Sequence, residues 1–137
     1  MSGTLDQLLP HRAPMQWINA LTDCTATTAT ATACFSDNDF AVVDGRVLET
    51  ALVECVAQTV AAALAQRALT ASPSSAVTAN GMLIGVANFK VASPARAGEN
   101  LRIEISELKR LGPMLLVAGK ISCDDRLVAA GELSLYA

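Results

Sequence analysis

Between Thr50 and Ala65 the chain reads TALVECVAQTVAAALA, sixteen residues that carry a single formal charge, Glu54. Alanine, leucine and valine fall on every side of a helix wound from this segment, so it has no polar stripe to turn toward water. Such a helix has to be enclosed by other elements, and it takes Glu54 inside with it. A carboxylate withdrawn from water responds by favouring its protonated form, which suits it to exchange protons near neutral pH. Glu54 is therefore the first candidate for acid-base chemistry.

The remainder of the chain has to supply the enclosure. At 137 residues it is of single-domain size, and the expectation is one domain over residues 1–137. Hydrophobic residues make up 52% and charged residues only 17%, so apolar surface is expected to be left over for a second subunit. Within the apolar helix, the uncharged stretch Cys55 to Gln66 is shorter than the roughly 20 residues that span a bilayer. The opening MSGTLDQLLPHR lacks a basic-then-apolar leader pattern. Both point to a cytoplasmic protein without a membrane partner.

Net charge is −3 with no long run of one sign, which argues against nucleic acid as a partner. Cys24, Cys34, Cys55 and Cys123 show no CxxC spacing, and one histidine is present to join them, so no metal site is expected. The cysteines read as buried, reduced thiols. On one continuous strand Cys24 and Cys34 would lie roughly 33 Å apart, out of disulfide reach.

Strand signals flank the helix. Leu5 to Leu9 reads as a helical turn stopped by Pro10, and Met15 to Leu21 as an extended segment. From Thr28 to Phe35, threonine or cysteine alternates with Ala29, Ala31, Ala33 and Phe35, which predicts a strand with a small apolar face that lets a helix pack close. Thr70 to Asn80 reads as an exposed connection. Four more strands are predicted at Met82–Val91, Leu101–Leu108, Met114–Ser122 and Leu127–Tyr136, with turns at Gly112-Pro113 and Asp124-Asp125, as a four-strand meander.

Three segments carry a family resemblance. LLPHRAPM (Leu8 to Met15), VECVAQ (Val53 to Gln58) with its Glu-x-x-x-Gln spacing, and GVANFKVASPARAGENL (Gly85 to Leu101) occur in the order found in hotdog 3-hydroxyacyl-acyl carrier protein dehydratases. The run DGRVLETALVECVAQ (Asp44 to Gln58) is similar to the predicted dehydratase branch of aryl polyene-type pathways. The resemblance implies an α+β hotdog fold, one long central helix wrapped by an antiparallel sheet. It also implies a 3-hydroxyacyl thioester substrate on acyl carrier protein or coenzyme A, no cofactor, and pairing as a homodimer or as a heterodimer with another hotdog subunit.

The chemistry requires a base for the carbon-2 proton, an acid for the departing hydroxyl, and donors for the thioester oxygen. By resemblance Glu54 is the carboxylate and the helix-start amides around Leu48 to Ala51, those of Leu48 and Glu49 included, face the oxygen. Gln58, one turn after Glu54, is the expected orienting partner, and Gly85 joins the substrate-binding set. Glu49 also suits the helix dipole.

Family members of fatty-acid synthesis carry a Gly-His-Phe-Pro-Gly loop before the helix, where this chain has SDNDFAVVDG (Ser36 to Gly45). His11 is the one histidine left to act with Glu54, although a loop histidine in a Pro-His-Arg element is more often structural, and Arg12 beside it can meet a phosphate but more often caps the fold. Lys90, Arg96, Lys109 and Arg110 are the candidates for docking an acidic carrier protein. Two alternatives stand beside the dehydratase: a non-catalytic hotdog partner of an active enzyme, and an acyl thioesterase in which Glu54 activates water.

Overall fold

Residues 4–10, 15–71 and 82–136 are described in the computed structural model. After a short helix α1 (Leu5–Leu8) come strands β1 (Ile18–Cys24) and β2 (Thr28–Ala33). A two-residue-per-strand hairpin, β3 (Val42–Val43) and β4 (Arg46–Val47), leads into the long helix α2 (Glu49–Ala71). Four strands complete the order: β5 (Met82–Val91), β6 (Leu101–Leu111), β7 (Met114–Cys123) and β8 (Arg126–Tyr136). All but β3 and β4 form one antiparallel sheet in the order β1-β2-β6-β7-β8-β5, with α2 against one face.

The alternating pattern of β2 does what its sequence predicts. Ala29, Ala31, Ala33 and Phe35 are each at most 2% exposed and form part of the floor on which α2 lies. Helix α2 comes close to β7, where a Cβ added to Gly119 would stand 2.5 Å from Cγ1 of Val56. Leu101, Ile103 and Ile105 of β6 and Leu115, Val117 and Ile121 of β7 continue the same buried face.

Several expectations shift. The first strand starts at Ile18 rather than Met15, because the backbone of Met15 and Trp17 is bonded to a helix side chain instead of to a neighbouring strand. Cys24 and Cys34 do not share a strand, since β1 ends at Cys24 and a turn precedes β2. Of the free thiols only Cys55 is buried; Cys24 and Cys123 are half-buried and Cys34 is exposed. The four late strands are no simple meander. β6, β7 and β8 follow one another, but β5 pairs with β8 at the sheet edge and β2 takes the place beside β6.

Helix α2 extends to Ala71, so only its last two residues fall within the segment read as a connection, and residues 72–80 of that connection lie outside the described residues. At 23 residues α2 is long and apolar enough to cross a membrane, yet 61% of its most apolar stretch is buried inside the domain, as befits a core helix. Asp44-Gly45 is a hairpin turn in addition to those expected from the sequence. Both residues have positive φ, 53° and 76°, and join β3 to β4 with the twist that a two-residue loop requires.

Candidate active site

Glu54 lies in the second turn of α2. It is half-buried rather than enclosed, because the helix does have an open stripe: Thr50 is exposed, Val53, Glu54, Ala61 and Leu64 are half-buried, and Ala57 lies among them. These positions recur every three to four residues and so share one side. The sequence shows no such face because the stripe is apolar except for Glu54. Cys55 points the other way, is fully buried, and has its thiol pushed up to about 12 by burial and, secondarily, by the neighbouring Glu54 carboxylate. At neutral pH it is an inert packing group.

Gln58 has a different task from the one expected. Its side chain is 0% exposed, its Oε1 accepts from the backbone N–H of Trp17 (3.0 Å) and Ile18 (3.4 Å), and its Nε2 donates to the Met15 carbonyl (2.7 Å). All of these described bonds go to the N-terminal segment, so the amide fastens Met15–Ile18 to the helix one turn beyond Glu54. A glutamine on an apolar helix is a legible sign of a buried polar partner; that the partner is backbone some forty residues away is not.

The helix-start amides divide. The Leu48 N–H is already given to the Ala41 carbonyl (2.8 Å) and that of Ala51 to the Leu48 carbonyl (3.0 Å), which withdraws Leu48 from the expected oxygen-binding group. Glu49 and Thr50 keep the first-turn amides that helix geometry leaves without an internal acceptor. Leu48 itself is 42% exposed, and the Glu49 side chain is exposed at the positive end of the helix dipole. Gly85 lies on β5 opposite Ser134, with open space where a side chain would stand. His11 and Arg12 lie outside the described residues. Lys90, Arg96, Lys109 and Arg110 are all exposed; Arg110 is engaged with Glu107 at 3.2 Å.

The loop that replaces the expected histidine is well ordered by its own hydrogen bonds. Asp39 Oδ2 accepts from the Ser36 N–H (2.9 Å), and the Asp39 carbonyl accepts from that of Val42 (3.0 Å). This arrangement presents Phe40 beside Trp17, with ring centroids 5.7 Å apart, and Trp17 in turn meets the buried Phe35 at 6.1 Å. The aromatic cluster went unnoticed in the sequence because its members are spread over residues 17 to 40 with no regular spacing. The largest cavity described, about 760 Å³, is on the opposite face of the sheet, lined by residues such as Thr30, Glu104 and Lys120, and Glu54 is not among its walls. A site built on Glu54 thus opens along the helix stripe.

The sequence profile of the ApeP-like family, described as ApeP dehydratase, matches residues 3–137. The chain belongs to the ApeP-like dehydratase family. This is the branch to which the resemblance in Asp44 to Gln58 pointed. Among solved structures, the dehydratase heterocomplex ApeI:P from Xenorhabdus doucetiae superposes with a TM-score of 0.86 at 20% identity, over 99% of this chain and 91% of that one. A hypothetical thioesterase with coenzyme A from Streptococcus pneumoniae aligns with a TM-score of 0.67 at 9% identity, over 85% of this chain and 86% of that one. Mouse thioesterase superfamily member 2 gives 0.66 at 16% identity, over 85% and 80%. These similarities establish the hotdog fold. No curated protein matches the sequence significantly.

Proposed function

We propose that this ApeP-family chain takes part in dehydrating a 3-hydroxyacyl thioester of polyene-type lipid synthesis, with Glu54 as the group that takes the carbon-2 proton. The observation that carries the reading is the position of Glu54: it is the one charge on the open stripe of the central helix, among Val53, Ala57, Ala61 and Leu64. As the carbon-2 proton passes to the carboxylate, the carbon–oxygen bond at carbon 3 breaks and the hydroxyl leaves as water with a proton from a second donor. First-turn amides of Glu49 and Thr50 hold the thioester oxygen while negative charge develops there. The second donor is His11, or a histidine supplied by a partner subunit. Support for His11 is chain reach: Leu8 and Leu9 are buried in the core and Gln58 holds Met15, so the chain on both sides of it is anchored to the body that carries Glu54.

A second hotdog subunit belongs to this reading. The helix stripe and the edge strand β5, where Leu83, Ile84 and Val86 are between 40% and 49% exposed, are apolar surfaces that a paired subunit would cover. The resemblance to one chain of a dehydratase heterocomplex favours an unlike partner. The carrier is an acidic acyl carrier protein docking at Lys90, Arg96 and Lys109, and the compartment is the cytoplasm.

The test is formation of the enoyl thioester, followed by its ultraviolet absorbance, by the chain alone and together with a histidine-bearing hotdog subunit. Glu54→Gln is expected to lower the rate by at least about a hundredfold, the usual scale of a lost general base. Full activity of that variant removes Glu54 from the reaction. Activity that needs the partner and survives Glu54→Gln would establish the non-catalytic partner reading instead. Free thiol release without an enoyl product would establish the thioesterase.

A further inference from the structure

We infer that Glu99 and Arg126 are positioning residues, whose ion pair clamps the loop Ser93–Glu99 on which the start of α2 is set. This rests on the reading of the Glu49 and Thr50 amides as the group that holds the thioester oxygen. The two residues come from different connections of the sheet: Glu99 precedes β6 and Arg126 opens β8. Oε2 of Glu99 is paired with Nη2 of Arg126, and Oε1 accepts from the Arg96 N–H (2.7 Å). Nη1 of Arg126 donates to the Pro94 carbonyl (2.8 Å), with Ser93 Oγ at 3.4 Å. One ion pair thus ties both ends of the loop to the start of β8, and Ser93 Oγ adds a bond to the Leu127 carbonyl (2.7 Å).

What the clamp holds is the approach to α2. Beside β4 the loop runs as a further antiparallel strand: the Val47 N–H donates to the Ala95 carbonyl (2.8 Å), the Ala97 N–H to the Gly45 carbonyl (3.0 Å), and Arg46 and Arg96 face each other between these bonds. The Gly98 N–H, at a positive φ of 86°, donates to the Phe35 carbonyl (2.8 Å). The segment from Phe35 to Val47 is therefore bonded to the loop at both of its ends, and the helix begins directly after it. Arg46 and Arg96 are exposed, and neither has an ion partner among the described residues. Like charges set directly opposite each other work against the bridge they sit on. The loop needs a hold of its own, and the Glu99–Arg126 pair supplies it. Amides that stabilise a developing charge act only where they are aimed, and a misplacement of about 1 Å costs on the order of a hundredfold. Glu49 and Thr50 follow Val47 and Leu48 without a break, so a shift of that anchor moves both amides.

The test uses two variants of the protein in the assembly in which it purifies. Arg126→Met keeps the aliphatic stem and removes every donor, while Glu99→Gln keeps an acceptor for the Arg96 N–H and removes the charge. In Arg126→Met the amides of Val47, Ala97 and Gly98 are expected to exchange hydrogen at least about tenfold faster, with those of Ile103 and Val117 in the core strands unchanged. Enoyl thioester formation should show kcat lowered about tenfold at constant KM, the sign of an interaction made in the transition state alone. Glu99→Gln should move both readouts the same way by a smaller factor. Unchanged exchange at the three loop-facing amides overturns the clamp, and so does an acceleration shared equally by Ile103 and Val117, which would make the pair a general stabiliser. Unchanged kcat, with or without a raised KM, overturns the positioning role. Faster local exchange in a protein whose unsubstituted form makes no enoyl thioester, with or without a partner, sustains the clamp and overturns the reading of the helix-start amides.

Discussion

Replacing Gln58 with leucine should cost the fold about 2–3 kcal/mol, although the volume scarcely changes and no charge is lost. The side chain is fully buried and its amide satisfies the N–H groups of Trp17 and Ile18 and the carbonyl of Met15. A buried donor left without its acceptor costs about 1–3 kcal/mol. Two donors are left: that of Trp17, bonded at 3.0 Å, loses about 2–3 kcal/mol, and that of Ile18, whose 3.4 Å contact is long, about 1 kcal/mol. Met15 is 46% exposed, so water can replace the amide at its carbonyl. Apolar transfer of the leucine side chain returns about 1 kcal/mol, which leaves the net figure above. Urea unfolding should show a lower midpoint at unchanged slope, and thermal unfolding a fall of about 6–9 °C. The variant should also lose the separate Trp17 environment, seen as a red-shifted emission. A loss under about 0.5 kcal/mol would refute the argument that this amide fastens the N-terminal segment.

Three further substitutions read the packing and the buried thiol. Gly131→Ala should destabilise by about 1–3 kcal/mol, because the new Cβ would stand 2.5 Å from the Cα of Phe89 and backbone cannot move aside as a side chain can. Gly85→Ala, with nothing within 4 Å, should stay within about 0.5 kcal/mol, and equal losses in the two variants by urea unfolding would contradict this. Cys55 keeps its proton in the fold up to about pH 12 against an ordinary value of 9.0. The unfolded chain therefore sheds that proton first, so stability is fully present below pH 9 and falls between pH 9 and 12. Cys55→Ala should have a shallower loss over that window in pH-dependent unfolding, and identical slopes would argue against the raised value.

Local pattern carried much of the fold. Alternation in β2, the Gly112-Pro113 turn with φ 58° at Gly112, and the Asp124-Asp125 turn with φ 53° at Asp124 are short-range features, and each sits where the residues say it should. Met82–Val91 matches its predicted limits at both ends. Sheet order is a different kind of information. β5 reads as the next strand before β6, but its partner is β8, and β2 crosses under the helix to reach β6. No residue in β5 names its neighbour; the pairing is decided by which arrangement lets one sheet wrap α2.

The site divides along the same line. Glu54 was legible because one charge among apolar neighbours is a local anomaly, and its place on α2 follows from spacing alone. Burial was misjudged for a physical reason: hydropathy cannot distinguish a helix face covered by its own sheet from one left for another chain, and Val53, Ala57, Ala61 and Leu64 look the same in both cases. Gln58 shows the converse. Its i, i+4 relation to Glu54 suggests a pair, yet its fully buried amide is bonded to backbone groups of the N-terminal segment, as buried polar groups generally find partners.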